Sequence, residues 1–251
     1  MRMGAILGIF ADPSRSDALV DQIGSLTGAG FDSLWAAHGV GRGFMHPDPL
    51  VVLATAAAVT DDVELGTAVV QSPLYHPMDL AHRVLTLQQL AGDRLILGIG
   101  AGSTEQDFRA YGLDYSNRFN AFDASADALS EIFRTGQHGT SDLSPWPAMT
   151  ARPKLFFGTW GKGVERAAQE FDGWIASANY RSVDQVVAAH ERYRASGGGR
   201  AVVSTIQIGA DTDLGELKEK LHRFAEAGFD DAVVLIQPGG PDPEVVRGLL
   251  N

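Results

Sequence analysis

Eight short apolar runs alternate along the chain with amphipathic stretches of helical length. The runs are mostly continuous, which is typical of strands buried on both faces of a parallel sheet. The predicted strands are Gly4–Phe10, Ser33–Ala37, Val63–Val70, Leu95–Gly100, Lys154–Gly158, Trp174–Ala178, Val202–Gly209 and Ala232–Gln237. The predicted helices are Ser16–Leu26, Leu50–Val59, Pro77–Leu90, Asn120–Phe133, Gly163–Glu170, Val183–Arg194, Leu214–Ala227 and Pro243–Leu249. Eight βα units with short connections predict an α/β fold, a compact (β/α)8 TIM barrel with few insertions.

A doubly wound open sheet is the alternative arrangement of the same elements. The barrel is favoured because the units number eight and the last one closes with a short helix. The length of 251 residues suits one barrel, since single α/β barrels run to about 200–250 residues. No shift in composition marks a boundary, so residues 1–251 are expected to form one domain.

A short phrase that recurs in the chain predicts how two helices end. Ala29–Asp32 and Ala227–Asp230 both read Ala-Gly-Phe-Asp, after an amphipathic stretch and before an apolar run. Glycine can adopt the left-handed conformation that commonly ends a helix. The phrase therefore predicts that helices end at Gly30 and Gly228 and turn directly into strands.

The charge and composition exclude several classes of function. The net charge is -11, from 20 Lys and Arg against 31 Asp and Glu, and no basic stripe occurs, so no nucleic-acid partner is expected. The absence of cysteine excludes disulfides, thiol nucleophiles and cysteine-ligated metals. No apolar run approaches the roughly 18 residues that span a bilayer. The first residues lack the layout of a signal peptide, so we expect a cytoplasmic protein without membrane contact.

The residues that follow each predicted strand are the candidates for function, because barrel enzymes place their sites at the carboxyl ends of the strands. His38 comes directly after the second predicted strand. A histidine there can donate or accept a proton near neutral pH, or hydrogen-bond a ring heteroatom. The alternative is a loop histidine with no special role.

Two glycine-rich segments follow the fourth and fifth predicted strands. Gly98–Gly102 would let a flat ligand or a phosphate approach the backbone closely, or it is simply a tight turn. Phe157–Gly163 combines small residues, the amides at a helix N-terminus and Lys162, which is one of four lysines in the chain. This combination is typical of an anion site. An ordinary βα loop is the alternative.

Other kinds of chemistry lack their motifs. The sequence has no G-x-S-x-G elbow for a serine hydrolase. It has no H-E-x-x-H or other compact ligand spacing, so no metal site is expected. No pair of carboxylates stands near one predicted strand end, which disfavours glycosidase chemistry.

Several phrases stand in a fixed order over roughly residues 28–178. They are Phe31–His38, Asp48–Thr60, Leu65–Val69, His76-Pro77, Gly92–Gly102 with the following Glu105, Phe108, Gly112 and Arg118, and Phe171–Ile175. As a set they resemble the luciferase-like flavin- and deazaflavin (F420)-dependent oxidoreductases, the luciferase-like monooxygenase family. The resemblance is weaker beyond this stretch.

The resemblance implies a TIM barrel with a flat tricyclic cofactor in its mouth, either reduced FMN or the deazaflavin F420. It implies a non-proline cis peptide between Ala68 and Val69 that backs the ring. The implied cofactor-binding residues are Ala68, Val69, Gly102, Gln106, Thr159, Trp160, Gly161, Lys162 and Gly163, the last five around the phosphate. His38 is implied to be catalytic, facing the reactive ring and the substrate.

The implied activity is hydride transfer or monooxygenation of a small organic substrate by a homodimer. FMN would suit monooxygenation, whereas F420 reacts poorly with oxygen and would suit reduction; the sequence leaves this choice open. Ser103 stands where some dehydrogenases of the family carry a glutamate, so sugar-phosphate dehydrogenase activity is not expected. The alternative function is a cofactor-free or cofactor-storing barrel without catalysis.

Overall fold

A computed structural model describes every residue except Ala11, Pro13, Phe44, Met45 and Asn251, and it leaves the side chains of Ala148 and Thr150 undescribed. The strands are β1 (Arg2–Leu7), β2 (Ser33–Ala36), β3 (Glu64–Thr67), β4 (Val70–Gln71), β5 (Leu95–Gly100), β6 (Gln137–His138), β7 (Ser141–Asp142), β8 (Lys154–Gly158), β9 (Gly173–Ser177), β10 (Arg200–Ile208) and β11 (Asp231–Ile236). The α-helices are α1 (Ala18–Gly28), α2 (Pro49–Val59), α3 (Pro77–Ala91), α4 (Glu105–Ala110), α5 (Arg118–Thr135), α6 (Gly163–Glu170), α7 (Val183–Ala195), α8 (Leu214–Glu226) and α9 (Pro243–Arg247).

Nine of these strands form one parallel sheet that closes on itself. Their order is β3-β2-β1-β11-β10-β9-β8-β5-β4, and pairing of β3 with β5 completes the ring. Strands β3 and β4 together occupy one strand position, so the nine strands fill eight positions around the barrel axis. The predicted (β/α)8 barrel is confirmed, and the open sheet is wrong. Strands β6 and β7 form a separate antiparallel hairpin.

The predicted element bounds hold to within three residues, with three differences. The third predicted strand, Val63–Val70, is interrupted at Ala68 and Val69, so it appears as β3 and β4. Helix α4 was not predicted, because its six residues are mostly polar. The β6–β7 hairpin also lies in a segment without a predicted element.

Both copies of the Ala-Gly-Phe-Asp phrase end a helix as predicted. The φ angle is 81° at Gly30 and 90° at Gly228, which lie just after α1 and α8. The phenylalanines that follow, Phe31 and Phe229, are 2% and 3% exposed. The glycine thus turns the chain, and the phenylalanine packs into the core as the next strand begins.

The amino end of the barrel is closed by charged residues, each the first residue of its strand: Arg2, Glu64, Lys154, Arg200 and Asp231. Arg200 donates to Glu64 Oε2 and to Asp231 Oδ2, each over 2.7 Å. Arg2 pairs with the same two carboxylates, and Lys154 Nζ lies 3.6 Å from Glu64 Oε1. The side chain of Asp231 is fully buried. Oppositely charged groups therefore fill this end.

An apolar layer fills the middle of the barrel. Its inward-facing side chains are Ile6, Trp35, Ile96, Phe156, Ile175, Val202 and Val233. The indole of Trp35 occupies the space beside Gly66, where a Cβ would overlap the ring. The ring of Phe156 occupies the space beside Gly173 in the same way, 2.5 Å from where a Cβ would lie. The middle of the barrel is therefore packed rather than open, as is usual for this fold.

Above the apolar layer, most of the inward positions carry small side chains. Alternation along the strands brings the next inward positions to Gly8, Ala37, Ala68, Gly98, Gly158, Ser177, Ser204 and Leu235, of which only Leu235 is large. Glycine, alanine and serine cannot fill the width of an eight-stranded barrel. We therefore infer a hollow at the carboxyl end of the sheet, narrowed on the β11 side by Leu235.

Helix α2 is apolar on every side. Its sequence is PLVVLATAAAV, and Leu53 and Ala56 on its inner face are fully buried. On the outer face, Val51 is 62% exposed and Val59 is 51% exposed. A helix that is hydrophobic all round is normally buried on all sides.

None of the helices in the described part of the chain is both long enough and apolar enough to cross a membrane. Among the same residues, no group of three or more His, Cys, Asp or Glu side chains is arranged to hold a metal ion.

Candidate active site

The residues predicted for the site all lie at the carboxyl end of the barrel. His38 is two residues beyond β2, and the Ala68–Val69 bond joins β3 to β4. Gly102 lies two residues beyond β5, and Gln106 is in α4. The segment Thr159–Gly163 connects β8 to α6. The fold thus brings segments far apart in the sequence to one rim.

The peptide bond between Ala68 and Val69 is cis, as the resemblance implied. It interrupts the third position of the barrel, where the N–H of Ala68 donates to the carbonyl of Ala36 over 2.9 Å. Both residues pack against the apolar layer inside the barrel. The cis bond therefore lies at the floor of the hollow.

Val69 sits against two glycines on neighbouring strands. A Cβ on Gly158 would lie 2.5 Å from Val69 Cγ1, and one on Gly100 would lie 2.9 Å from Val69 Cγ2. Real Cβ atoms do not approach other carbons so closely, so any larger residue would displace Val69. The glycines of the fourth and fifth strand positions thus leave the space that Val69 occupies.

One ring nitrogen of His38 has a fixed partner. The backbone N–H of Gln71 donates to His38 Nδ1 over 3.3 Å, so the neutral ring carries its proton on Nε2. The side chain is 6% exposed. Burial lowers the pKa of His38, and the carboxylates of Asp48 and Asp107 oppose that shift. Near neutral pH the ring is therefore uncharged and can donate from Nε2.

Asp107 ties the His38 loop to α4. Its fully buried carboxylate accepts from the N–H of Val40 over 2.9 Å and from Gln71 Nε2 over 2.7 Å. Arg42 donates to it from Nη2 over 2.5 Å and from Nε over 3.0 Å. Burial alone would raise the pKa of Asp107, but the hydrogen bonds outweigh it and hold the pKa below its usual value. Asp107 is therefore ionised and forms an ion pair with the guanidinium of Arg42.

The side-chain amide of Gln71 has only one possible orientation. Its Nε2 donates both to Asp107 Oδ2 and to the carbonyl oxygen of His38, the latter over 3.1 Å. Both partners only accept, so the amide nitrogen must face them. Gln71 therefore holds the His38 loop through its backbone and through its side chain.

The ring of Tyr75 also contacts the ring of His38. The two ring centroids are 5.5 Å apart. The hydroxyl of Tyr75 donates to Asp48 Oδ2 over 3.3 Å, while Asp48 Oδ1 caps α2. Burial, reinforced by Asp48, raises the pKa of Tyr75, so the phenol stays protonated. Tyr75 thus contributes an uncharged side chain in a fixed position beside His38.

The sequence analysis did not identify Arg42 and Asp107, and it gave no role to Gln71 and Tyr75. Gln71 and Tyr75 follow the third predicted strand, and this position was the only signal for them. Asp107 stands beside Phe108 in the motif that carries the resemblance, but nothing in the sequence marks it as a buried carboxylate.

Internal contacts fix the turn between β8 and α6. The N–H of Gly163 donates to the carbonyl of Trp160 over 3.2 Å. Trp174 Nε1 donates to the carbonyl of Thr159 over 3.0 Å, which ties the turn to β9. A Cβ on Gly163 would overlap Thr159 Oγ1. Lys162 is exposed at the tip of this rigid turn.

Gln106 differs from the other predicted residues because its side chain is exposed, whereas its neighbour Asp107 points inward. A separate shallow groove of about 490 Å³ lies on the outer side of α3. Its lining residues are His76, Met78, Asp79, His82, Ser141, Asp142 and Leu143. It contains none of the predicted site residues, so the barrel mouth remains the candidate site.

Comparison with known proteins gives a match over most of the chain. The luciferase-like monooxygenase family profile matches residues 9–239. The 4-hydroxyprotoasukamycin monooxygenase of Streptomyces nodosus subsp. asukaensis is 34% identical over 119 residues, which are 47% of this chain and 32% of that protein. The matched stretch thus spans about a third of that relative's length.

Solved structures share the fold at low sequence identity. The coenzyme F420-dependent tetrahydromethanopterin reductase of Methanopyrus kandleri superposes with a TM-score of 0.78 at 16% identity, covering 99% of this chain and 96% of that one. The FMN complex of the oxygenating constituent of 3,6-diketocamphane monooxygenase of Pseudomonas putida gives 0.68 at 21%, covering 87% and 70%. Together with the profile match over residues 9–239, the closed barrel and its cis turn lead to one assignment: the chain belongs to the luciferase-like monooxygenase family.

Proposed function

We propose that the protein is an oxidoreductase that uses reduced FMN or coenzyme F420 for hydride transfer or monooxygenation of a small organic substrate. The observation that carries this proposal is that the cis turn at Ala68–Val69 and a buried His38 lie at the same carboxyl end of the barrel, beside the inferred hollow. Membership of the family supports it.

The residues of the hollow fit a flat tricyclic group. Except for Leu235, the inward positions above the apolar layer carry small side chains, which leaves room for a planar ring system. Val69 occupies the space that Gly100 and Gly158 leave free, so this part of the floor has no room for larger residues on those strands. Ala68, Val69 and Gly102 would contact the ring, and Gln106 would contribute from α4 after a change of its side-chain rotamer.

The turn Thr159–Gly163 would hold the phosphate. The N–H of Gly163 is used within the turn, so the amides of Trp160, Gly161 and Lys162 remain for the anion. The positive end of α6 favours a negative group there, and the ammonium of Lys162 adds to this attraction. In a chain of net charge -11, such a local positive potential is needed to bind an anionic cofactor.

When bound, the cofactor would supply the hydride or activate oxygen, and the protein would bind, orient and exclude water. His38 would donate a hydrogen bond or a proton from Nε2 to charge that develops on the substrate or the ring. It would not act first as a base, because Gln71 already occupies Nδ1. Gln71, Arg42 and Asp107 would hold the ring of His38 in position.

The proposal includes a homodimer in the cytoplasm. The exposed apolar face of α2, which includes Val51 and Val59, would be covered by a second copy of the chain. A cytoplasmic location suits a cofactor that other cellular enzymes must reduce again after each turnover. We propose that residues 1–251 act as one luciferase-like domain.

Anaerobic titration of the purified protein with reduced FMN and, separately, with reduced F420 tests the proposal. We expect saturable quenching of the protein's tryptophan fluorescence with one of the two. Ala37→Phe, which fills the hollow, should abolish the quenching, whereas Ala124→Phe, on the exposed face of α5, should leave it unchanged. If neither cofactor binds, the proposal is wrong and the cofactor-free barrel is favoured.

A further inference from the structure

A bulge in β10 gives one side of the hollow an extra inward residue. The register with β11 shifts between Val203 and Ile206, and both of these residues pack into the outer core. Two residues, Ser204 and Thr205, stand between them where regular alternation would allow only one inward side chain. Their hydroxyl oxygens are 3.4 Å apart. The bulge thus brings both hydroxyl groups together at the edge of the apolar layer, opposite Val233, where Ser204 is 1% exposed.

The bulge holds Thr205 in an unfavourable backbone conformation. Its φ is 59°, in the left-handed region, where a β-branched residue is a genuine outlier. Glycine would adopt this angle without strain. Backbone strain of this kind persists where the surroundings enforce it, and it is concentrated at binding and catalytic sites.

Uncharged polar side chains cover the hollow on the side of β9, β10 and β11. We call this surface the hydroxyl-amide wall; it consists of Ser177, Asn179, Ser204, Thr205, Gln207 and Gln237. Gln207 is in register with Leu235, which packs against the apolar layer, so its side chain is on the inner side. Gln237 Nε2 donates to Gln207 Oε1 over 3.0 Å, and Gln207 Nε2 donates to Asn179 Oδ1 over 3.1 Å.

This row of amides has one unused acceptor and one unused donor at its ends. Gln237 Oε1 and Asn179 Nδ2 make no hydrogen bond within the part of the chain that the structure describes. If all three side-chain amides were rotated by 180°, the free donor and the free acceptor would exchange ends of the row, and one of each would remain. A row of this kind can donate to a carbonyl and accept from a hydroxyl at the same time.

The hydroxyl-amide wall contains no ionisable residue. The charged residues at the amino end are separated from the hollow by the apolar layer, and at the carboxyl end Arg42 is paired with Asp107 on the His38 side while Arg181 lies over the ring of Trp160. An ionic ligand group would therefore lose its hydration against this wall without gaining an opposite charge. Uncharged hydroxyl and carbonyl groups would exchange water for the amides and hydroxyls at little cost.

We propose that the hydroxyl-amide wall binds an uncharged organic molecule that carries both hydroxyl and carbonyl groups, and that it thereby selects the substrate. This inference rests on the proposed function, because it assigns the substrate side of the same hollow. Two features carry it: the bulge that adds an inward hydroxyl, and the row of amides with a free donor and a free acceptor.

Calorimetric titration with two small aromatic probes tests the wall. The uncharged probe is 5-hydroxy-1-tetralone, which has one hydroxyl and one carbonyl, and the anionic probe is naphthalene-1-sulfonate. We expect the uncharged probe to bind at least tenfold more tightly. Gln207→Leu and Ser204→Ala should each weaken its binding roughly three- to tenfold, as loss of one neutral hydrogen bond predicts. Gln169→Leu, exposed on α6, is the matched control and should leave the Kd unchanged.

Thr205→Gly separates a binding role from a structural one. The variant should raise the Tm, because glycine relieves the strained φ, and it should weaken the uncharged probe, because the hydroxyl is lost. A raised Tm with unchanged probe binding would show that the bulge is only structural and would overturn the assignment. Equal binding of the anionic probe, or no binding of the uncharged one, would also overturn it.

Cofactor binding by the same variants distinguishes failure of this inference from failure of the proposed function. We expect Gln207→Leu to bind FMN or F420 as the wild type does, while binding of the uncharged probe is weakened. Normal cofactor binding with no effect of either wall variant on the probe would overturn the wall alone. If the wild type binds neither cofactor, the proposed function fails, and with it the assignment of the wall to a substrate.

Discussion

Replacing His190 with glutamine should make the free energy of unfolding less sensitive to mild acid. His190 is 2% exposed, and its ring lies 4.2 Å from that of Phe229. Its Nε2 accepts a hydrogen bond from Arg194 Nε over 3.1 Å. Burial, reinforced by the charge of Arg194, lowers the pKa of His190 to about 4 from 6.5. Glutamine can still accept from Arg194, but it does not titrate.

The sign and size of the effect follow from proton linkage. Below pH 6.5 the unfolded chain binds a proton at His190 that the folded chain does not bind until about pH 4. The stability contributed by the neutral ring is therefore complete above pH 6.5 and is lost as the pH falls toward 4. With 1.36 kcal/mol for each pKa unit, the loss between pH 7 and pH 5 is about 2 kcal/mol.

Urea unfolding at pH 7 and at pH 5 measures this difference. The free energy of unfolding of the wild type should fall by about 2 kcal/mol more than that of His190→Gln over this interval. His222→Gln, at an exposed histidine of α8, is the control and should follow the wild type. If His190→Gln loses as much stability as the wild type, the buried neutral histidine is not the acid-sensitive group.

Three further predictions concern the candidate site. His38→Ala should lower turnover by roughly 10²–10⁴ if the histidine transfers a proton, and unchanged turnover in the cofactor-loaded enzyme would remove that role. Gly158→Ala should destabilise the fold by about 1–3 kcal/mol in urea unfolding, because its Cβ would lie 2.5 Å from Val69 Cγ1. Adding Val69→Ala should restore part of that loss, and no restoration would contradict the contact. Asp107→Ala should cost roughly 3 kcal/mol, because it leaves the guanidinium of Arg42 half-buried without its partner; a loss below about 1 kcal/mol would show that solvent screens the pair.

The barrel was predictable because each strand is buried on both faces and each helix on one. Continuous apolar runs gave Leu95–Gly100 and Lys154–Gly158 with their observed bounds. The break at Ala68–Val69 could not follow from hydrophobicity, since the run continues through it; only the family resemblance indicated it. Helix α4 was missed because a short polar helix has neither length nor periodicity.

The positions of the site residues were predictable, but their interactions were not. Position after a strand was enough to select His38. The hydrogen bonds that fix the tautomer and position of His38 join residues far apart in the sequence: Gln71 and His38 are 33 positions apart, and Gln71 and Asp107 are 36 apart. No spacing in the sequence shows which of the many polar loop residues meet. The tautomer of His38 and the burial of Asp107 therefore follow only from the three-dimensional structure.

The paired charges close the amino end of the barrel. Arg200 and Asp231 belong to these ion pairs, and Trp35 belongs to the packed layer above them, so we expect a ligand of the hollow to enter and leave at the carboxyl end. Whatever enters must depart by the route along which it arrived. Substrate and product therefore share one opening, and a product molecule must leave before the next substrate can bind.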